Sequence, residues 1–423
     1  MHHFTYKNGF LYAESVDLRT IAATLGTPFY CYSSATFERH FQVFQDAFSD
    51  RDALICYAVK VNSNQAVLKM LARQGAGMDI VSGGELARAL DAQVPASKIV
   101  YSGIGKTPDE MAAALDAGIY CFNVESEPEL EQLSEIAASK NLKAPIALRI
   151  NPDVDALTHA KISTGRSENK FGIPIARARE IYARAAKMRG LEVIGVDAHI
   201  GSQITSLEPF DNLARKLAQL AAELLADGHK LKHMDFGGGL GIPYKVDNAP
   251  PPSPQEYAAI IRKHTDALNL KLVFEMGRLI AGNAGILVTK VLYVKQGENK
   301  TFVIVDAGMN DLIRPTLYEA YHRIEPVRES LLTRDFIEAD IVGPVCETGD
   351  YLALQRQIAP VKAGDLMAVM TAGAYGAVLS STYNTRPLIP EVLVRDDSFS
   401  VIRPRPTYED MLKLDHVPSW LQA

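Results

Sequence analysis

Leu54-Ile55-Cys56-Tyr57-Ala58-Val59-Lys60 is a short apolar run that ends on a lysine, and seven comparable runs follow it. They are Met78–Ser82, Lys98–Ser102, Ile119–Val124, Pro145–Asn151, Leu191–Ile200, His233–Gly237 and Lys271–Gly277. Helical patterns lie between them. Gly84–Leu90 is one, and Pro209–Gly228 is another. Ser126-Glu127-Pro128-Glu129-Leu130 opens a third, with the spacing of a capping box and an early proline. Strand–helix alternation predicts a parallel sheet. Eight strands within about 225 residues fit an α/β fold of the (β/α)8 type, which usually takes about 250. An open doubly wound sheet is the alternative. The barrel is preferred because candidate catalytic residues fall at the ends of many different strands.

Outward from this region the texture changes. After Gly285, Ile286–Val294 and Lys300–Asp306 flank a Gln-Gly-Glu-Asn turn and predict a β-hairpin. Asp340–Val345, Leu366–Thr371 and Glu391–Arg395 are further strand candidates, and helical signals are short, around Arg314–Ala320 and Ser380. Phe4–Tyr12 is a second hairpin candidate, turning at Asn8-Gly9. The expected organisation is a barrel over residues 33–280 and a β-rich second domain, sandwich- or barrel-like, from residues 1–32 and 281–423. Asn248-Ala249-Pro250-Pro251-Pro252 reads as a surface loop before a helix.

The 423 residues exceed what one core usually holds, which agrees with two domains. A net charge of −6 gives no reason to expect nucleic acid as a partner. No apolar run approaches the roughly 20 residues of a membrane helix, and the N-terminus lacks a signal pattern. Cys31, Cys56, Cys121 and Cys346 form no CxxC pair, so reduced thiols and a cytoplasmic location are expected.

Such barrels place their chemistry at the C-terminal ends of the strands. Lys60 ends the first run, where burial would lower its pKa and improve it as an imine-forming amine. Alone, it reads more readily as a snorkelling lysine. Gly83 and Gly84 suit a tight turn into a helix. His199, in Asp197-Ala198-His199-Ile200-Gly201-Ser202-Gln203, could stack on a flat cofactor or shuttle protons, or be structural. Gly237-Gly238-Gly239-Leu240-Gly241 frees backbone N–H groups to cradle a phosphate. It is no Walker loop, because no Gly-Lys-Ser/Thr follows. Glu275, in Phe274-Glu275-Met276-Gly277-Arg278, needs a cation if buried, and a protonated pyridine nitrogen is one. Arg278 could grip a phosphate or carboxylate, or pair with Glu275. An amine for an aldehyde, glycines for a phosphate, a flat ring and a carboxylate for a ring nitrogen together specify pyridoxal 5'-phosphate. No ligands cluster at metal spacing, so no metal is expected. No early GxGxxG suggests a nicotinamide.

Tyr57-Ala58-Val59-Lys60, His199-Ile200-Gly201-Ser202-Gln203, Gly237-Gly238-Gly239-Leu240-Gly241 and Glu275-Met276-Gly277-Arg278 occur in order along the chain. They resemble the alanine-racemase-like, fold-type III pyridoxal-phosphate enzymes, which include ornithine, arginine and diaminopimelate decarboxylases. Asp311–Tyr318, Gly343–Asp350, Gly373–Gly376, His159–Gly165 and Asn169–Gly172 resemble the diaminopimelate decarboxylase branch. Met276 stands where that branch usually has proline. The resemblance implies an obligate homodimer with shared active sites, acting on meso-diaminopimelate to release L-lysine. It implies Lys60, His199, Ser202, Gly238, Gly239, Glu275, Gly277, Arg278 and Tyr375 at the cofactor. Arg278, Arg314, Tyr318, Glu347 and Tyr375 would contact substrate, with Lys60, His199 and Cys346 as catalytic residues. Cys346 and Glu347 would complete the partner's site. A decarboxylase of another basic amino acid, of ornithine, arginine or carboxynorspermidine type, a racemase, and a non-catalytic cofactor-binding homologue are the alternatives.

Overall fold

A computed structural model describes residues 2–156, 158, 164–165, 170–245 and 250–421, and in it all eight expected runs contain strands. They are Ala53–Ala58, Gly77–Ile80, Ile99–Tyr101, Cys121–Val124, Ala144–Asn151, Leu191–Asp197, His233–Asp235 and Lys271–Met276. Each lies parallel to the next, and the eighth pairs back onto the first through Leu272↔Ala53 to Met276↔Tyr57. The sheet is therefore closed, and the open-sheet alternative falls. Met276 keeps its place in the last strand and is 1% exposed.

The first strand stops two residues before the end of its apolar run. The chain winds there into a single 3₁₀ turn, Val59–Val61. Val59 and Val61 are buried, which leaves Lys60 to point out of the turn. Helices cover the barrel, and their sequence signals are specific. Ser126 caps Glu127–Ser139 by accepting from the Glu129 N–H. The reciprocal half of that expected box does not form. Glu129 turns instead to Lys106 at 2.7 Å and to the Glu125 N–H at 2.9 Å. Complete boxes form at Thr107 and Ser253. Within the barrel, Leu54, Cys56, Val100, Cys121, Ala147, Ile194 and Val273 make one packed layer.

This barrel unit runs from Phe37 to Ala281, and residues 1–36 with 282–423 make the second unit. The boundaries expected from sequence were 33 and 280. In the second unit Phe4–Lys7 and Phe10–Ala13 form the N-terminal hairpin, with Asn8 and Gly9 both left-handed at φ 53° and 81°. Its inner residues Phe4, Leu11 and Ala13 pack with Phe29, Ile286 and Val392. The larger sheet runs in the order 351–358, 337–342, 301–305, 285–296, 29–33, 391–395 and 398–403. Ile324–Pro326 and Leu366–Val369 join it through the 285–296 strand. The hairpin expected from Ile286–Val294 and Lys300–Asp306 is present as Gly285–Gln296 and Thr301–Val305, with Gln296 opposite Thr301. No described helix is long and apolar enough to cross a membrane. The expectations placed on His159–Ser163, Asn169, Asn248 and Ala249 lie outside the described residues.

A Cβ at Gly77 would sit 2.4 Å from the Lys98 carbonyl oxygen and 2.8 Å from the Cys56 sulfur. Gly77→Ala should therefore cost about 1–3 kcal/mol by overpacking, read from urea unfolding. Gly105→Ala, where a Cβ meets open space, should leave stability nearly unchanged.

Candidate active site

The C-terminal ends of the strands gather the barrel residues singled out from sequence. Lys60 Nζ lies 2.5 Å from Asp79 Oδ2, and Asp79, on the second strand, is fully buried. A buried carboxylate of this kind requires a cation, and it fixes where the amine stands. Glu85 accepts from the Val81 N–H at 2.8 Å. Burial pushes its carboxyl up to about 7, against the opposing pull of Lys60.

His199 sits just beyond the sixth strand and is held neutral. Burial, then the charges of Arg149 and Lys60, push its pKa well below the ordinary histidine value. The Gly238 N–H donates to its Nδ1 at 3.0 Å. The ring proton is thus on Nε2. Gly237 and Gly239 adopt φ of 60° and 106°. A Cβ at Gly237 would lie 2.5 Å from His199 Nδ1, and one at Gly238 would lie 2.3 Å from the Glu275 carbonyl oxygen. Only glycine lets this loop pass so close. Arg278 donates to the Ser202 hydroxyl through Nε at 3.2 Å and Nη2 at 3.1 Å, and to the Tyr244 hydroxyl at 2.6 Å. Gly277 is similarly constrained, with Val61 Cγ2 only 2.4 Å from a Cβ placed there.

Glu275 accepts from Ser102 Oγ at 2.7 Å and from Asn123 Nδ2 at 3.1 Å. Asn123 also reaches Asp235 at 3.4 Å. Sequence spacing shows no cluster of metal-type ligands, but the fold brings three carboxylates together. Oxygens of Asp197, Asp235 and Glu275 all come within 4.8 Å of one another. The residues are far apart in sequence and meet only because three strands converge. Burial is the main cause that raises all three carboxyls, and their neighbours' charges add to it. Asp79 Oδ1, Asp197 Oδ1 and Asn123 Oδ1 are buried without a hydrogen-bond partner. Beyond this cluster a chain of buried ions runs Lys106–Glu129, then Glu125–Arg149 at 2.9 Å. Asp79, Ser102, Asn123, Asp197, Asp235 and Arg149 were not singled out from sequence. An acid interrupting an apolar run, as at Asp79 in Met78-Asp79-Ile80, was the available signal.

The remaining sequence candidates lie in the β-rich unit. Arg314 opens the helix Arg314–Tyr318 and is 6% exposed, with Tyr318 half-buried at its end. Tyr375 is half-buried, with φ of 55°. Cys346 and Glu347 are exposed, and the Cys346 N–H donates to Asn384 Oδ1 at 2.8 Å. Cys31, Cys56 and Cys121 are buried.

The barrel residues fit pyridoxal 5'-phosphate. Lys60 offers an amine, Gly239 with Ser202 and Arg278 offers donors for a phosphate, and Glu275 offers a held carboxyl. The acid-rich interior, with its unpartnered oxygens, is suited to a cationic ring nitrogen.

The raised carboxyls have a consequence for pH. Unfolded, Asp235 ionises in the ordinary carboxylate range, whereas folded it keeps its proton to higher pH. The folded state therefore binds more protons through that window and loses stability as pH rises through it. Asp235→Asn removes this penalty. The variant's melting temperature without cofactor should exceed the parent's at pH 8, and the gain should shrink at pH 5. An equal gain at both would contradict the raised carboxyl.

Residues 34–282 match the family model described as pyridoxal-dependent decarboxylase, pyridoxal binding domain. The chain is 50% identical over 412 residues to a diaminopimelate decarboxylase of Pseudomonas aeruginosa, covering 97% of this chain and 98% of that protein. The solved diaminopimelate decarboxylase of Helicobacter pylori in complex with L-lysine superposes with a TM-score of 0.90 at 41% identity, covering 94% of this chain and 99% of that one. That of M. jannaschii in complex with L-lysine gives 0.94 at 35% identity over the full length of both. Matched along nearly its whole length as well as at its barrel, the chain belongs to the diaminopimelate decarboxylases, within the pyridoxal-dependent decarboxylase family.

Proposed function

We propose that this enzyme decarboxylates meso-2,6-diaminopimelate to L-lysine and carbon dioxide, the last step of lysine biosynthesis, with pyridoxal 5'-phosphate as cofactor. The observation that carries the reading is Lys60 Nζ held 2.5 Å from buried Asp79 at the mouth of an acid-lined barrel. When bound there, the cofactor supplies an electron sink for the pair released as the Cα–carboxylate bond breaks.

The residues divide the remaining work. Lys60 would hold the cofactor's aldehyde end, and Asp79 fixes the position of its amine. Glu275, fixed by Ser102 and Asn123, keeps a proton at the ring nitrogen. His199 presents a neutral ring face, its Nδ1 already occupied by the Gly238 N–H. Ser202, Arg278 and the Gly239 N–H hold the phosphate, while the Gly237 and Gly238 N–H groups brace the loop against Asp235 and His199. In the β-rich unit, Arg314 clamps the distal carboxylate of the substrate and Glu347 its ammonium, while Tyr318 and Tyr375 orient it. Cys346 returns a proton to Cα. We assign Cys346 and Glu347 to the active site of a second copy in a homodimer, a role that suits their exposure on their own chain. Free thiols suit a cytoplasmic location.

Incubation with meso-diaminopimelate followed by chiral analysis should give L-lysine and one equivalent of carbon dioxide. Recovery of racemised substrate, or of D-lysine, would overturn the assignment. Arg314→Ala should raise KM about 10- to 100-fold, the worth of a charge-assisted hydrogen bond. Cys346→Ala should lower kcat by about 10²- to 10⁴-fold, as loss of a general acid does, with KM little changed.

A further inference from the structure

Arg314 is joined to a histidine. Its Nη1 lies 2.8 Å from His322 Nε2, and His322 is fully buried. A guanidinium can only donate, so Nε2 must be the acceptor and carry no proton. The other ring nitrogen, Nδ1, lies 2.9 Å from the Met370 carbonyl oxygen, which can only accept. Nδ1 therefore carries the proton. The two contacts fix His322 as one neutral tautomer in one orientation.

The backbone around it is tied on both sides. Glu319 turns left-handed at φ 52° to end the Arg314–Tyr318 helix, and the chain doubles back so that His322 faces Arg314. The His322 carbonyl accepts from Arg356 Nη1 at 2.8 Å, and the Arg356 guanidinium lies 3.9 Å over the Tyr321 ring. The Met370 N–H returns a hydrogen bond to the Arg323 carbonyl at 2.8 Å. Met370 also begins the loop that leads to Tyr375. One imidazole thus joins the segment that bears Arg314 to the loop that bears Tyr375.

We propose that His322 is a positioning residue for the substrate clamp: as a neutral acceptor it aims the Arg314 guanidinium and ties it to the Tyr375 loop. The assignment rests on Arg314 gripping the distal carboxylate. A neutral acceptor at Nε2 fixes the direction of Nη1 without itself placing a negative charge beside the arginine.

The test uses the holoenzyme. His322→Leu keeps bulk but removes the acceptor. It should raise KM for meso-diaminopimelate, and Ki for L-lysine, about 10-fold, as loss of a charge-assisted contact does, while kcat changes less than about twofold. Ki for cadaverine, which has no carboxylate, should not move. His322→Gln restores an acceptor and should recover most of the loss. The double variant with Arg314→Ala should be no worse in KM than Arg314→Ala alone, because the two act as a unit. Equal losses for L-lysine and cadaverine, or additive effects in the double variant, overturn the proposal while leaving Arg314's role intact. An Arg314→Ala variant with unchanged KM removes instead the reading on which it rests. If His322→Leu does not fold, His322→Asn, whose acceptor is one bond short, takes its place against His322→Gln. Equal KM for those two overturns the proposal.

Discussion

Negative charge confined inside the barrel is the constraint on which the site depends. Asp79, Asp197, Asp235 and Glu275 are all buried at the strand ends. Ionised carboxylates cannot stay there without cations, protons or donors. Lys60 answers Asp79, Ser102 and Asn123 answer Glu275, and burial shifts Asp197 and Asp235 toward their protonated forms. A cofactor whose ring nitrogen is cationic is stabilised by such an interior, and the same interior resists an anion. In the proposed site the phosphate is accordingly placed apart, at Gly239 and Arg278.

The second requirement is that these charges hold still. Lys106, Glu129, Glu125 and Arg149 form a buried neutral chain, and Lys106 also donates to the carbonyls of Gly103 and Asn123. Those bonds pin the loop that follows Ser102 and the strand that bears Asn123, the two donors to Glu275. The orientation of Glu275 thus passes through backbone rather than through a single side chain. Breaking one member of such a chain leaves an uncompensated charge, so its parts are expected to act as a unit.

Much of this was legible in the residues, and the exceptions share a cause. The eight strands show because parallel strands buried on both faces read as continuous apolar runs. Lys60, His199, the glycine loop and Glu275 show because each ends such a run. Asp79, Asp197 and Asp235 were harder. Whether an acid near a strand end faces the barrel axis or the helices depends on register and shear, which sequence does not reveal. His322 was harder still, since its partner Arg314 is near in sequence but only a left-handed turn at Glu319 makes them meet. The failed half of the Ser126 box has a similar origin, because Glu129 finds a buried lysine that competes with the helix end.

Closure of the barrel also decides where the molecule is sticky. Each of the eight barrel strands is paired on both sides, and among the described residues only the two-residue strand Ile173–Pro174, beside Ala144–Asn151, stands at an edge, so the barrel backbone offers little to another chain. The larger sheet of the second unit, by contrast, ends at Tyr351–Ile358 and Ser398–Arg403. The first of these borders is irregular, with its pairing slipped at two places and Gln355 kinked to φ 47°, and it carries Arg356. Crumpled, charged borders of this sort are poor templates for fibre growth, so the unit that cannot close its sheet is instead shielded by imperfection.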